Sequence, residues 1–214
     1  MMTPLFVDNH LLVADKPWGL LTQPSGRDET ALEDLAREYI RERFHKPGAV
    51  FLEAVHRIDR AVGGVVLFAR TSKALSRLNA MQRTGAMAKR YLARVSPPPR
   101  SNGGCLEDWL LHGDFRAVVV PPRTPEARPC RLNWRCMERC EDSALLEIEL
   151  LTGRYHQIRA QLAHAGMPIL GDERYGAAGC AGAPQGGIAL LSSRLDLEHP
   201  VSHERLSFES RLRI

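Results

Sequence analysis

The sequence predicts an α+β fold, with a mixed, mainly antiparallel central sheet flanked by helices and loops. Three observations support this prediction. Several short apolar segments have the length and composition of strands, longer segments carry apolar residues at helical spacing, and the two kinds do not alternate regularly as in a βαβ fold. A chain of 214 residues suits one domain, so we expect residues 1–214 to form a single domain.

The first predicted elements are a strand and a helix. Leu11 to Ala14 reads as a strand that ends in the turn Pro17-Trp18-Gly19. Thr30 and Glu33 then match a capping box, which marks the start of a helix. The apolar residues that follow share one helical face: Leu32, Leu35, Ala36, Tyr39, Ile40 and Phe44. Pro47-Gly48 is expected to end this helix.

The middle of the chain predicts strands around a second helix. Val65 to Ala69 is short and apolar enough for an interior strand. Ser72 is the expected cap of a helix whose inward residues are Leu75, Leu78 and Met81. Residues 90–95 alternate in polarity, which places Tyr91 on one face of a strand together with Ala93 and Val95.

Two stretches rich in proline and glycine, residues 97–104 and 121–129, are predicted loops. The arginines in and around the second could face RNA or could simply be solvated, and the sequence leaves both open: Arg116, Arg123, Arg128 and Arg131. Leu145 to Leu151 predicts a further strand, and Gln157 to Ala165 a further helix.

Arginine dominates the basic residues. The chain has 29 lysines and arginines, of which only Lys16, Lys46, Lys73 and Lys89 are lysines, and a net charge of +4. A guanidinium binds phosphate through a planar fork and stacks on bases, which suits an RNA partner, although a GC-rich genome produces the same bias.

Other features of the sequence exclude several classes. The five cysteines lack the paired Cys-x-x-Cys spacing of a zinc site, so we expect reduced thiols and no metal. No segment approaches the roughly 18 apolar residues of a membrane span, and the N-terminus does not resemble a signal peptide. A cytoplasmic location without membrane contact is therefore expected.

The segment His56-Arg57-Ile58-Asp59-Arg60 is the first candidate for chemistry. It places one carboxylate between two arginines, just before the glycines Gly63-Gly64 and a buried strand. The nearby positive charge should keep Asp59 ionised and fixed in position, as an aspartate nucleophile requires. A structural ion pair is the alternative.

Two distant segments carry related motifs. They are Lys89-Arg90-Tyr91 and the run from Gly153 to Arg159, which reads Gly-Arg-Tyr-His-Gln-Ile-Arg and is followed by Gly171-Asp172. Together with the Asp59 segment they resemble the RluA-type family of RNA pseudouridine synthases. The resemblance extends from Val13 to Pro200, and it implies a pseudouridine-synthase-like catalytic domain.

The resemblance also implies the reaction. Such an enzyme isomerises a uridine in tRNA or rRNA to pseudouridine, flips the base out of its stack, and needs no cofactor. Asp59 matches the nucleophile, which attacks either the base or the ribose. Arg159 matches the basic residue expected to pair with Asp59, and Tyr91 matches the tyrosine that stacks on the extruded uracil.

Further residues are expected to bind RNA. Arg57 matches the position that enters the base stack when the uridine leaves it. The others are neighbours of the motif residues, and among them the histidines and the glutamine are expected to support the site without reacting: Arg60, His56, Lys89, Arg90, Arg154, His156 and Gln157. Lys16 is expected to be structural, and Asp172 to cap a local turn.

The chain departs from the family pattern at Val62-Gly63-Gly64, where the family usually has Thr-Ser-Gly. We expect the glycines to give the Asp59 loop more backbone freedom. Only fifteen residues precede Lys16, so recognition is expected to rest on the catalytic domain alone, acting as a monomer. Two alternatives remain: a non-catalytic RNA-binding protein that keeps the fold, and an aspartate-nucleophile hydrolase of a small molecule.

Overall fold

A computed structural model describes residues 3–26, 29–176 and 182–214. The chain divides into two compact units. Unit 1 comprises Met1–Met87 and Ser192–Arg213, and unit 2 comprises Ala88–Leu191 together with Ile214. That residues 1–214 act as one catalytic domain stays a prediction. None of the described helices is long and apolar enough to cross a membrane.

The described residues form eleven strands and three α-helices. In chain order the strands are β1 (Pro4–Val7), β2 (Leu11–Lys16), β3 (Glu53–Ala54), β4 (Gly63–Ala69), β5 (Ala88–Val95), β6 (Gly103–His112), β7 (Ala117–Val120), β8 (Arg128–Arg139), β9 (Ala144–Leu150), β10 (Leu190–Glu198) and β11 (Arg205–Glu209). The helices are α1 (Leu32–Arg43), α2 (Ser72–Thr84) and α3 (Gln157–His164). The predicted α+β class is confirmed.

Unit 1 is built on the strand order β1-β2-β4-β10, with β3 also paired to β4 and β11 paired to β10. The pairs β1/β2, β2/β4, β3/β4 and β10/β11 are antiparallel. All seven residues of β4 are buried, which explains why its sequence is continuously apolar. Val65 and Leu67 of this strand pack in a core with Val13, Leu78 and Leu195.

Unit 2 is a sheet in the order β5-β9-β8-β6-β7, and all of its pairings are antiparallel. Strands β6 to β8 were not predicted. Stretches predicted as loops contribute to them, since Gly103 and Gly104 begin β6, while Arg128 and Arg131 lie on β8. β6 shows no clean alternation of apolar and polar residues. β8 does alternate, with Cys130, Leu132 and Trp134 buried, but the prolines and arginines at its start favoured a loop.

Both helices of unit 1 begin one residue away from their predicted caps. The N-cap of α1 is Ala31, not Thr30, and the Asp34 carboxylate accepts a hydrogen bond from the Ala31 N–H at 3.0 Å. The cap of α2 is Thr71, not Ser72, and its Oγ1 accepts from the Ala74 N–H at 3.1 Å. Ser72 is instead the first helical residue.

The buried face of α1 is narrower than predicted. Leu32, Ala36 and Ile40 are buried, whereas Leu35 and Phe44 are each 39% exposed. Only three of the apolar positions therefore anchor the helix to the core of unit 1.

Gly63 and Gly64 lie within β4 and not in a loose loop. A Cβ on Gly63 would lie 2.7 Å from Cε2 of Trp18. A Cβ on Gly64, whose φ is +113°, would lie 2.2 Å from the carbonyl oxygen of Ser192 on β10. The two glycines thus permit close packing at the end of the Asp59 segment, and the expectation of extra backbone freedom is wrong.

Replacing Gly64 with alanine should destabilise the protein by at least about 2–3 kcal/mol, because the new methyl group overlaps backbone and the positive φ disfavours any side chain. Gly48→Ala is the matched control, since a Cβ there meets nothing within 4 Å. Urea denaturation of both variants measures the difference. Equal stabilities would show that β4 and β10 can separate without cost.

Candidate active site

The Asp59 segment forms the connection between β3 and β4 in unit 1. Asp59 is half-buried, its neighbours Arg57 and Arg60 are exposed, and Ile58 between them is buried. The N–H of Val62 donates to the Asp59 carbonyl oxygen at 3.0 Å, which closes a tight turn directly after the carboxylate. The backbone therefore presents Asp59 at the edge of the unit 1 core.

Two pairs of hydrogen bonds attach this turn to the segment that follows β2. On one side of Asp59, Thr22 Oγ1 donates to the Ile58 carbonyl at 2.9 Å and accepts from the Ile58 N–H at 3.3 Å. On the other side, the Gly19 N–H donates to the Arg60 carbonyl at 2.9 Å, and Arg60 Nε donates to the Gly19 carbonyl at 2.8 Å. Asp59 is thus held between two fixed points.

Lys16 reinforces the second of these points. Its side chain is fully buried, and Nζ donates to the carbonyls of Leu20 at 2.6 Å, Pro17 at 3.0 Å and Arg60 at 3.3 Å. Burial lowers the pKa of this ammonium from 10.5 to about 7, while the Asp59 carboxylate raises that pKa and Arg60 lowers it. The hydrogen bonds support the expected structural role of Lys16.

The lowered pKa of Lys16 predicts a pH dependence of stability. Between pH 7 and 10.5 the unfolded chain binds more protons at this group than the folded chain, so its contribution to stability rises with pH through that window. The unfolding free energy of the wild type minus that of Lys16→Met should therefore rise by a few kcal/mol from pH 7 to 10. Lys73→Met, at an exposed position, should give a flat difference in the same urea titrations. A flat difference for Lys16→Met would contradict the prediction.

The other unit 1 candidates have structural contacts. His56 is 8% exposed, and its Nε2 accepts a hydrogen bond from the Leu67 N–H at 3.2 Å, which fits a supporting role. Arg60 forms an ion pair with Glu29 at 3.3 Å as well as its bond to Gly19. Arg57, two residues before Asp59, is also exposed. RNA contacts by these residues stay predictions.

In unit 2, Tyr91 lies on β5 as predicted. The strand alternates, so Tyr91, Ala93 and Val95 are buried on one face, and Tyr91 is 6% exposed. Its neighbours Lys89 and Arg90 are half-buried, and burial lowers the pKa of the Lys89 ammonium. A buried strand fixes the plane of the Tyr91 ring more firmly than a loop would.

Arg159 lies on α3 and forms a buried bidentate ion pair with Asp172. Arg159 Nε and Nη2 donate to the two carboxylate oxygens at 2.7 and 2.8 Å, and the side chains are 6% and 1% exposed. Two parallel bonds fix the plane of the guanidinium. Asp172 does lie at the N-cap position of the short 3-10 helix Glu173–Tyr175, as expected of a local cap, but its carboxylate makes no capping hydrogen bond and pairs with Arg159 instead. The pairing of Arg159 with Asp59 stays a prediction.

His156 connects Arg159 to a tyrosine that the sequence analysis did not single out. Its Nε2 lies 2.9 Å from Arg159 Nη1, and its Nδ1 lies 3.0 Å from the hydroxyl of Tyr175. The Arg159 guanidinium also lies over the Tyr175 ring, 5.1 Å from the centroid. Burial raises the pKa of Tyr175 to about 12, so this hydroxyl stays protonated, and it donates to the Ala117 carbonyl at 3.2 Å. His156 has a positive φ of 51°, and these contacts stabilise that conformation.

Gln157 is buried and uses all of its hydrogen-bonding capacity inside unit 2. Its amide nitrogen donates to the Arg131 carbonyl at 3.1 Å and to Gln161 at 3.0 Å. Its amide oxygen accepts from the hydroxyl of Thr152 at 2.8 Å and the N–H of Arg154 at 3.0 Å. These bonds fit a supporting role, whereas Arg154 itself is exposed.

The candidate residues thus form two groups. Unit 1 brings together His56, Arg57, Asp59 and Arg60, and unit 2 holds Lys89, Arg90, Tyr91, Arg154, His156, Gln157 and Arg159. Within residues 3–26, 29–176 and 182–214, no group of three or more histidine, cysteine or acidic side chains could hold a metal ion. Cys180 lies outside these residues, and the other four cysteines are free thiols.

Comparison with known proteins confirms the predicted relationship. A family model described as RNA pseudouridylate synthase matches residues 10–164. The ribosomal large subunit pseudouridine synthase C of Yersinia pestis is 35% identical over 97% of this chain and 65% of its own length. The protein of the same name from Escherichia coli K12 is 35% identical over 80% of this chain and 52% of its own length. The chain thus spans about half to two thirds of these relatives.

Solved structures agree in fold. Human RNA pseudouridylate synthase domain containing 4 is similar over 98% of this chain and 88% of its own, with a TM-score of 0.81 and 22% identity. Human RNA pseudouridylate synthase domain containing 1 has a TM-score of 0.76 and 18% identity, and covers 98% of this chain and 82% of its own. From the match over residues 10–164 and the identity to the curated relatives, the chain belongs to the RNA pseudouridylate synthase family.

Proposed function

We propose that this protein is an RNA pseudouridine synthase that isomerises a specific uridine of RNA, with Asp59 as the nucleophile. One observation carries the proposal: the family match over residues 10–164 includes Asp59, Tyr91 and Arg159, each in its expected motif. The geometry supports it, since the Asp59 turn is fixed by hydrogen bonds on both sides.

The reaction needs no net redox change. The bond from ribose C1′ to uracil N1 breaks, a bond from C1′ to C5 forms, the C5 proton leaves, and N1 gains a proton. In this proposal Asp59 attacks the base or the ribose, and Tyr91 stacks on the flipped uracil. Arg159 supplies a positively charged guanidinium group, and its ion pair with Asp172 fixes the orientation of that group. No cofactor is required, because a carboxylate and a proton carrier suffice.

The proposed substrate is a uridine in ribosomal RNA, with tRNA as the second choice. The curated relatives are named for the large ribosomal subunit, which supports rRNA and a cytoplasmic location. The arginine-rich composition supports RNA as the partner. A monomer is the proposed oligomeric state.

A pseudouridine map of cellular rRNA and tRNA tests this proposal. Cells with and without the gene are compared after carbodiimide labelling, which stops reverse transcription at pseudouridine. We expect one site to lose its stop and to regain it when the gene is restored. If every site stays modified, and the purified chain also converts no uridine in the corresponding transcripts, the proposed activity is wrong.

A further inference from the structure

Three aromatic rings form a column on unit 2 that the proposed reaction does not use. His156 stacks on Tyr155 with centroids 3.9 Å apart and planes inclined by 18°, and Tyr155 stacks on His112 at 4.3 Å and 19°. The rings come from two distant segments, because His112 ends β6 whereas Tyr155 and His156 precede α3. Such near-parallel stacking over two steps holds all three planes in one orientation.

The inner end of the column is rigid. His156 is 7% exposed and bonds to Arg159 and Tyr175 through its two ring nitrogens. Tyr155 is 38% exposed although both faces of its ring are covered by imidazoles. The column therefore runs from the buried Arg159 network outward to the surface of unit 2.

The outer end of the column is an exposed imidazole. His112 is exposed, and among the described residues its ring stacks only on Tyr155. The plane of this exposed ring is thus held by Tyr155 on one face. A flat heteroaromatic group, such as a nucleobase, would extend the column by a fourth ring.

Positive charge lies close to this end. Arg128 pairs in register with Leu110, two residues before His112 on β6, so Arg128 and His112 lie on the same side of the sheet. Arg154 Nε donates to the carbonyl of Pro129, the residue after Arg128, at 3.3 Å. Both arginines are exposed, and neither forms an ion pair within the described residues. Asp114, in the turn after β6, is the carboxylate nearest in sequence to His112.

We propose that His112 stacks an unpaired base of the RNA substrate, with Arg128 and Arg154 binding the adjoining phosphates. The inference rests on the proposed function. The base is not the isomerised uridine, because β6 lies three strands from β5, a spacing of about 14 Å, and β5 carries Tyr91. Exposed guanidinium groups beside a fixed ring favour RNA over an apolar protein partner.

Binding of short RNAs to the full chain tests the proposal. The probes are fluorescently labelled single-stranded U12 and a twelve-residue abasic ribose-phosphate strand, which keeps the phosphates but has no bases. We expect His112→Ala to weaken U12 binding by roughly 5- to 100-fold and abasic binding by less than about twofold. His112→Phe, which keeps a flat ring, should bind U12 nearly as tightly as the wild type.

Two further variants serve as controls. Arg128→Gln should weaken both probes, because it removes a phosphate contact. Phe115→Ser, which removes a 76% exposed ring outside the column, should change neither. Three results would overturn the proposal: wild-type protein that does not bind U12, unchanged U12 binding by His112→Ala, or an equal loss for the abasic strand.

Failure of this proposal is distinguishable from failure of the proposed function. Pseudouridine formation in a large-subunit rRNA transcript does not involve the U12 probe. If the wild type forms pseudouridine in that transcript, and His112→Ala binds U12 as tightly as the wild type, only the proposed base stacking on His112 is overturned. If His112→Ala weakens binding of U12 but not of the abasic strand, and the wild type forms no pseudouridine, the proposed isomerase activity is wrong and the RNA-binding surface stands.

Discussion

The Asp59→Asn variant should form pseudouridine at least about 1,000-fold more slowly than the wild type while binding its RNA with an affinity changed by less than about threefold. Asparagine keeps the size of the side chain but cannot act as an anionic nucleophile. The turn should be preserved, because the hydrogen bonds that attach it to Thr22 and Gly19 are made by the backbone of Ile58 and by the backbone and Nε of Arg60. Single-turnover conversion of a transcript and filter binding measure the two quantities.

The control for this variant is Asp142→Asn, an exposed aspartate in the turn between β8 and β9. It should leave both rate and affinity unchanged. More than about a tenth of wild-type activity in Asp59→Asn would be incompatible with a nucleophilic role. If the wild type binds RNA and also forms no product, the chain is a non-catalytic RNA-binding protein that keeps the fold.

The largest loss of stability is expected from Asp172→Asn. This change removes the carboxylate that accepts two hydrogen bonds from the Arg159 guanidinium, which is 6% exposed. Removing one member of a buried ion pair costs about 3–5 kcal/mol, since the remaining charge stays desolvated. Urea denaturation at neutral pH should show a lower midpoint for Asp172→Asn.

Two further variants test whether the loss of stability in Asp172→Asn comes from the burial of the charge or from the loss of any ion pair. Glu38→Gln removes the exposed partner of Arg41 on α1 and should cost less than about 1 kcal/mol. The double variant Arg159→Met with Asp172→Leu should be more stable than Asp172→Asn, because the buried guanidinium is removed together with its carboxylate. A cost below about 1 kcal/mol for Asp172→Asn would show that water reaches Arg159 when its partner is lost.

Periodicity explains which strands the sequence could predict. β4 and β5 were found because one is continuously apolar and the other alternates, and each pattern reports directly on burial. β6 was missed because it begins with exposed glycines and carries no regular alternation. β8 does alternate, with Arg131 and Arg135 exposed and Leu132 and Trp134 buried, and was missed because the prolines before it favoured a loop. The partners of β8 are β6 and β9, and a local pattern does not say which strands pair.

In the candidate site, too, residues in local motifs could be predicted, whereas contacts between distant residues could not. Asp59, Tyr91 and Arg159 could be named because each lies in a compact motif. The ion pair of Asp172 was missed because a Gly-Asp pair is usual in turns, and its partner Arg159 lies thirteen residues earlier. Contacts between remote residues, such as Lys16 with the Arg60 carbonyl, require the fold before they can be seen.

The attachment of the Asp59 turn to Gly19 and Thr22 has a consequence for substrate binding. A turn whose backbone groups already bond to a fixed neighbour loses its conformational entropy during folding and not when RNA arrives. In the proposed reaction, binding energy from the RNA contacts is then not consumed in ordering the proposed nucleophile. That energy would remain available for the proposed unstacking and flipping of the uridine, a step that costs a few kcal/mol in base-flipping enzymes.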